Sequence, residues 1–81
     1  MLVMNQSQTT VVNMDSVQKI CLNPQTKKIW FFPINNTNGA DLAEYDSVDK
    51  CKKAFELLLK SYRQGEKTFT FPETIVIGRY E

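Results

Sequence analysis

Histidine is absent from this 81-residue chain, and glycine and cysteine are scarce, with three and two residues. Without histidine the chain cannot build a Ser-His-Asp or Cys-His catalytic group, nor bind zinc through imidazole. The three glycines, at positions 39, 65 and 78, stand singly and form no phosphate-binding loop. Cys21 and Cys51 are too few for a four-cysteine zinc site. We therefore predict a non-enzymatic protein without a cofactor.

Acidic side chains are the remaining candidates for metal ligands. Four of them lie close together at Asp41, Glu44, Asp46 and Asp49. They lack the residue order and the central glycine of an EF-hand loop. Solvated turns and a favourable interaction with a helix dipole explain them better. We predict no metal site.

The net charge is small as well, because ten basic residues face nine acidic ones. A balance of +1 is no electrostatic signature for nucleic acid or for an anionic membrane. The start, MLVMNQSQTT, lacks the positive region of a signal peptide and the roughly 20 apolar residues of a membrane span. We expect a cytoplasmic protein in which Cys21 and Cys51 are reduced core thiols.

The first half of the chain has the pattern of short strands. The apolar runs 2–5 and 9–14 flank three polar residues, which predicts a hairpin. A second hairpin is predicted over 17–34, with a turn at 23–27 that contains Pro24. In its first strand we expect Ile20 and Leu22 to point inward and Lys19 outward. An Asn-Gly turn over 35–39 then leads into a short strand at 41–45.

One convincing helix follows. It begins at Asp46 or Ser47, either of which can cap the backbone, and it ends at Gly65, a residue suited to a left-handed C-terminal position. Phe55 is predicted to be the central core anchor of the helix, and Leu57 to lie on the far, solvated face. The predicted buried stripe recurs at spacings of three and four residues: Val48, Cys51, Phe55, Leu58 and Tyr62.

The sequence TFTF at 68–71 alternates and directs Phe69 and Phe71 to the same side. These elements predict a single α+β domain over 1–81, in which one helix packs on one face of a small antiparallel sheet of five or six short strands. The core spans about 2–72, and 73–81 forms a mobile tail or an edge strand.

The run KIWFFPI at 28–34 is apolar on both sides of its strand, although one helix covers only one sheet face. A curled sheet, the C-terminal segment, a second copy of the chain or another protein could cover the outer side. The candidate interface residues are Trp30, Phe32, Ile34 and Leu57. We expect an accessory protein that acts through protein–protein contact, with self-association as the favoured form.

The alternative function is weak nucleic-acid binding. Six basic and three acidic residues lie between positions 49 and 67, which leaves a local charge of +3. Contacts to phosphates would come from the helix, with Trp30 as a stacking platform. The candidate contact residues are Lys50, Lys53, Lys60 and Arg63. A solvated helix face explains the same charges without nucleic acid, and the overall charge balance favours that explanation.

The segment LAEYDSVDKCKKAFELLLKSYRQGEKTFTFPE, at 42–73, combines a strand ending in Tyr-Asp, a Ser-capped helix, a glycine stop and a proline-containing end. With the preceding strands it resembles small uncharacterised proteins of Gram-positive bacteria and their phages, over residues 13–73. The resemblance implies an α+β fold and a bacterial or prophage origin. It implies no activity, cofactor or site, and the sequence IVIGRYE at 75–81 has no counterpart in it.

Overall fold

Six short strands and one helix form the protein, as described by a computed structural model for residues 1–35 and 38–75. The elements in chain order are β1 Leu2–Met4, β2 Val11–Asn13, a 3₁₀ turn Met14–Ser16, β3 Val17–Asn23, β4 Lys28–Pro33, β5 Ala40–Glu44, α1 Val48–Arg63 and β6 Thr68–Thr70. The α+β class and the number of strands are as predicted.

The strands divide into two three-stranded sheets, with orders β2-β1-β6 and β3-β4-β5. We had expected one antiparallel sheet. The division occurs at the 3₁₀ turn, where the Asn13 side chain accepts a hydrogen bond from the Asp15 backbone at 3.0 Å. The second sheet is an antiparallel meander, whereas β6 pairs parallel to β1. A parallel pair requires a long crossover connection, and α1 lies within it.

Both predicted hairpins form. Val3 faces Val12 in the first, and Leu22 faces Ile29 in the second. Lys27 adopts a positive φ of 59° at the end of the β3–β4 turn. In the next turn, Asn35 has a positive φ of 65°. The predicted Asn-Gly turn falls partly on residues 36 and 37, which lie outside the described residues.

Helix α1 begins and ends where its capping residues predict. The Ser47 side chain accepts a hydrogen bond from the Lys50 backbone at 3.2 Å, which satisfies one of the free N–H groups of the first turn. At the other end, Gly65 has a φ of +73°, a left-handed conformation that glycine adopts without steric strain.

One core unites both sheets, the helix and the segment that follows β6. Val3, Ile29, Cys51, Ala54 and Phe71 are fully buried. The remaining core residues are Val12, Leu42, Ala43, Tyr45, Leu58 and Ile75. Because Ile75 is among them, the core extends beyond the predicted limit of residue 72. The rest of the predicted tail or edge strand, 76–81, lies outside the described residues.

Gln6 links the two sheets. Its backbone N–H donates to the Leu42 carbonyl at 2.8 Å, and its side-chain oxygen accepts from the Glu44 backbone at 2.8 Å. Its side-chain amide donates to the Glu44 and Glu73 carbonyls, each at 2.9 Å. Gln6 therefore connects the end of the first hairpin to β5 and to the segment after β6.

Candidate interaction surface

The edge of α1 exposes large apolar side chains. Leu59 is 50% exposed and Tyr62 is 69% exposed, while Phe55 on the same edge is half-buried. These three residues, one turn apart along the helix, are called the α1 edge here. Exposed apolar residues scattered singly are ordinary, whereas several that lie together make a candidate interaction surface.

An open groove runs beside the α1 edge. Its opposite wall comes from the N-terminus and the start of the second sheet, with Met1, Met14 and Ile20, and Leu58 lies against it from the core side of the helix. The groove has a volume of about 310 Å³. Its lining is almost entirely carbon and sulfur, so it offers contact to apolar side chains and very few hydrogen bonds.

The groove exists because the apolar arc of α1 is wider than the sheets can cover. At 100° per residue, the arc from Leu57 through Ala54 and Cys51 to Leu59 spans about 200°, roughly twice the stripe of a typical surface helix. The buried residues Cys51, Ala54 and Leu58 occupy its middle. The α1 edge lies towards the Leu59 end of this arc, where Phe55 packs against the core and Leu59 and Tyr62 are exposed.

This placement corrects the predicted face of the helix. Leu57 was predicted to face solvent, but it is half-buried and packs against the core. Tyr62 was predicted to be buried, but it is largely exposed. Phe55 is a half-buried flank rather than the central anchor. Compared with the predicted stripe, the buried face is rotated about the helix axis by about 50° towards Ala54. The prediction counted Val48 and Tyr62, at the two ends of the helix, as strongly as the residues in its middle.

The outer face of β4 carries the other predicted interface residues. Trp30 and Phe32 lie together on the face opposite to Ile29, with ring centroids 5.5 Å apart, and both are half-buried. The Lys19 ammonium lies 5.0 Å from the centre of the Phe32 ring. Ile34, just beyond the strand, is 50% exposed. The structure therefore brings two of the four predicted interface residues, Trp30 and Phe32, together on one face, whereas Ile34 lies in the following turn and Leu57 on α1.

Gly39 completes the cover of Phe32. A Cβ atom at position 39 would lie 3.0 Å from Cε1 of Phe32 and 3.2 Å from the Phe31 carbonyl oxygen. The ring therefore packs directly on the glycine backbone. A side chain at 39 would therefore require the Phe32 ring or the backbone to move by a few tenths of an ångström.

The basic residues of the helix do not form one patch with Trp30. Lys50 is partly buried and forms an ion pair with Asp46 at 2.9 Å, and this ammonium lowers the pKa of the Asp46 carboxyl below its ordinary value. Lys53, Lys60 and Arg63 are exposed on α1. Trp30 points away from the core that α1 covers, so the proposed stacking platform and the basic helix face point in different directions.

Two polar contacts hold the start of α1 in the core. The Tyr45 hydroxyl donates to the Pro72 carbonyl at 2.6 Å, and the Cys51 thiol donates to the Lys27 carbonyl at 3.2 Å. Burial and the nearby Cys51 raise the pKa of Tyr45 to about 12. Burial also raises the pKa of the Cys51 thiol. Cys21 and Cys51 are both free thiols, and Cys51 is a buried, structural one.

The described part of the chain contains no group of three or more histidine, cysteine or acidic residues arranged to hold a metal ion. Nor does any helix within residues 1–35 and 38–75 have the length and apolar character needed to cross a bilayer. Comparison with known proteins found no matching family model, curated protein or solved structure.

Proposed function

We propose that this protein is a non-enzymatic accessory protein that acts through protein–protein contact, that it self-associates, and that the α1 edge with its groove is the contact surface. The observation that carries the proposal is the exposure of Leu59 and Tyr62 beside an apolar groove of about 310 Å³. Interface centres favour aromatic side chains and apolar pockets that receive them.

The chemistry of the groove favours a protein over a small molecule as its occupant. Sites for small molecules combine apolar walls with a few convergent polar groups, and their volumes begin at about 300 Å³. This groove lies at that lower limit, and its lining offers only the Tyr62 hydroxyl among its side chains as a polar group. An apolar side chain from another protein surface matches such a lining better.

The energetics favour a weak complex. Each 400 Å² of apolar surface removed from water contributes about 10 kcal/mol at about 25 cal/mol/Å². Association costs roughly 4–15 kcal/mol in lost translational and rotational freedom. The α1 edges and grooves of two copies supply several hundred Å² in total, since one aromatic ring alone can bury about 150–250 Å². We expect a dimer with a micromolar dissociation constant.

A matched pair of variants tests the proposal. Leu59→Lys places a charge on the α1 edge, where the residue is 50% exposed, and Val11→Lys places the same charge on strand β2, where it is 51% exposed. By sedimentation velocity we expect Leu59→Lys to be a monomer at concentrations where the wild type and Val11→Lys are dimers. If all three proteins formed dimers equally well, the contact surface would have to lie elsewhere than the α1 edge.

The origin and location belong to the same proposal. The resemblance of residues 13–73 to small proteins of Gram-positive bacteria and their phages supports a bacterial or prophage origin. The sequence composition supports a cytoplasmic location. Co-purification from the native host, with identification of neighbouring genes, tests both and would name any additional partner.

A further inference from the structure

Two opposite charges lie beside the α1 edge, on its solvent side. Glu56 and Arg63 are seven residues apart, so they lie within about 20° of each other around the helix and about 10.5 Å apart along it. That separation is too long for the pairing seen between residues three or four apart. Both residues are exposed, and within the described residues neither forms an ion pair. Neither side chain is therefore held in an ion pair among the described residues, although Lys52, Lys53 and Lys60 lie one turn from Glu56 on the helix.

The spacing of these charges is self-complementary. In a dimer with two-fold symmetry the same surface meets itself, so that residue i contacts residue j and residue j contacts residue i. The midpoint between Glu56 and Arg63 falls between Leu59 and Lys60, in the middle of the exposed apolar row. If the two-fold axis passes between the two helices at this level, perpendicular to them, Glu56 of each copy faces Arg63 of the other.

The direction of the two helices decides whether these charges attract. In an antiparallel pair about this axis, two Glu56–Arg63 contacts form. In a parallel pair in register, Glu56 faces Glu56 and Arg63 faces Arg63, and both contacts repel. Like charges brought together at an interface disfavour the wrong arrangement, and they do so more strongly than exposed pairs stabilise the right one.

We infer that the occupant of the groove is a second copy of this chain, packed with its α1 antiparallel to the first about a two-fold axis near Leu59. The inference rests on the proposed self-association and adds its geometry. Leu59 of each copy lies closest to the axis, and Tyr62 of one copy lies over the groove of the other. The two Glu56–Arg63 contacts lie along the solvent side of the interface, one before and one after the axis along the helix.

Charge reversal tests the arrangement. Glu56→Arg alone creates two Arg–Arg contacts, and Arg63→Glu alone creates two Glu–Glu contacts. We expect each single variant to weaken dimerisation by about tenfold at low salt. The double variant Glu56→Arg with Arg63→Glu restores the opposite charges and should recover wild-type association. An equimolar mixture of the two single variants should form a heterodimer, because every flanking contact in it is attractive.

The control is Lys53→Glu, which changes the net charge by as much as Arg63→Glu but lies on the far side of α1. It should leave association unchanged, and circular dichroism should show all variants folded. A dimeric wild type that no reversal weakens would overturn the antiparallel geometry and leave self-association standing. A wild type that sediments as a monomer at millimolar concentration would overturn self-association itself.

Discussion

The outer face of β4 and the α1 edge both carry more apolar side chains than a small core requires, but they differ in what covers them. On β4, Trp30 and Phe32 contact each other, and Lys19 and Gly39 enclose Phe32 from two sides. On α1, Leu59 and Tyr62 stand beside an open groove. The more hydrophobic segment of the sequence is thus the better covered one.

The difference follows from the geometry of strands and helices. On a sheet face, side chains from neighbouring strands lie about 4.5–5.5 Å apart, so adjacent positions cover each other even without a second layer. On a helix, an arc of about 200° cannot be covered by sheets that lie on one side of it. Surplus apolar surface therefore remains on the helix, and we expect a partner there.

The largest expected effect compares a covered aromatic residue with an uncovered one. Phe71 is fully buried, so Phe71→Ala should cost about 3–5 kcal/mol, a large part of the stability of a domain of this size. Tyr62→Ala removes a side chain that is 69% exposed and should cost less than about 0.5 kcal/mol. Urea denaturation measures both, at concentrations below the dimer dissociation constant. Similar urea midpoints for the two variants would contradict the assignment of Phe71 to the core and of Tyr62 to the exposed α1 edge.

The next effect compares Tyr45 with Tyr62 at alkaline pH. Because the pKa of Tyr45 is raised to about 12 in the folded protein, the unfolded chain loses this proton first, near pH 10. The contribution of Tyr45 to stability is therefore fully retained below about pH 10 and is lost as the pH rises towards 12, by up to about 3 kcal/mol. The raised pKa of Cys51 acts in the same direction from a lower pH.

Tyr45→Phe should remove most of this alkaline loss, and Tyr62→Phe should retain it. Denaturation of the three proteins between pH 8 and 12 gives the comparison. A Tyr45→Phe variant with the same pH dependence as the wild type would mean that Tyr45 titrates normally and is less enclosed than the structure shows.

A smaller effect is expected on β4. Trp30→Lys combined with Phe32→Lys removes the contact between two half-buried rings and should cost about 2–3 kcal/mol, since each ring loses part of its buried area. Once folded, this variant should still dimerise, because the α1 edge is intact. Leu59→Lys combined with Tyr62→Lys should behave in the opposite way, with nearly unchanged stability and no dimer. Urea denaturation and sedimentation of both variants test this. If the β4 variant were monomeric and the α1 variant still dimeric, the interface would lie on β4.

The smallest effect concerns nucleic acid. Lys50 is paired with Asp46, and the exposed basic residues of α1 are interleaved with Asp49 and Glu56. We expect the wild type to pass through a DNA or RNA column near 50 mM salt without retention, and Lys50→Glu with Lys53→Glu to elute at the same position. Retention of the wild type that the double variant abolishes would support the alternative function.

Local signals in the sequence predicted the local structure well. Ser47 and Gly65 marked the ends of α1 because capping depends on residues within one turn. Both hairpins followed from apolar runs separated by short polar turns. The parallel pairing of β1 with β6 could not be predicted in this way, because it joins residues at opposite ends of the chain.

The candidate site was only partly accessible to the same reasoning. A helical wheel locates an apolar arc, but it does not say which part of a 200° arc the sheets cover. For this reason Leu57 was predicted to be exposed and Tyr62 to be buried, whereas the structure has the opposite. Gln6 had only the signature of a polar turn residue, since its partners Glu44 and Glu73 are distant in sequence. The width of the apolar arc was the one signal that could have indicated the α1 edge.

The single tryptophan makes the central claim directly measurable, because Trp30 reports on β4 and on no other surface. Sedimentation and Trp30 fluorescence are followed together as the wild type is diluted from millimolar to submicromolar concentration. We expect the dimer to dissociate while the Trp30 emission maximum stays constant, since the α1 edge and not β4 becomes exposed. A shift of the emission to longer wavelength over the same concentration range would contradict the account, and so would a monomer at every concentration.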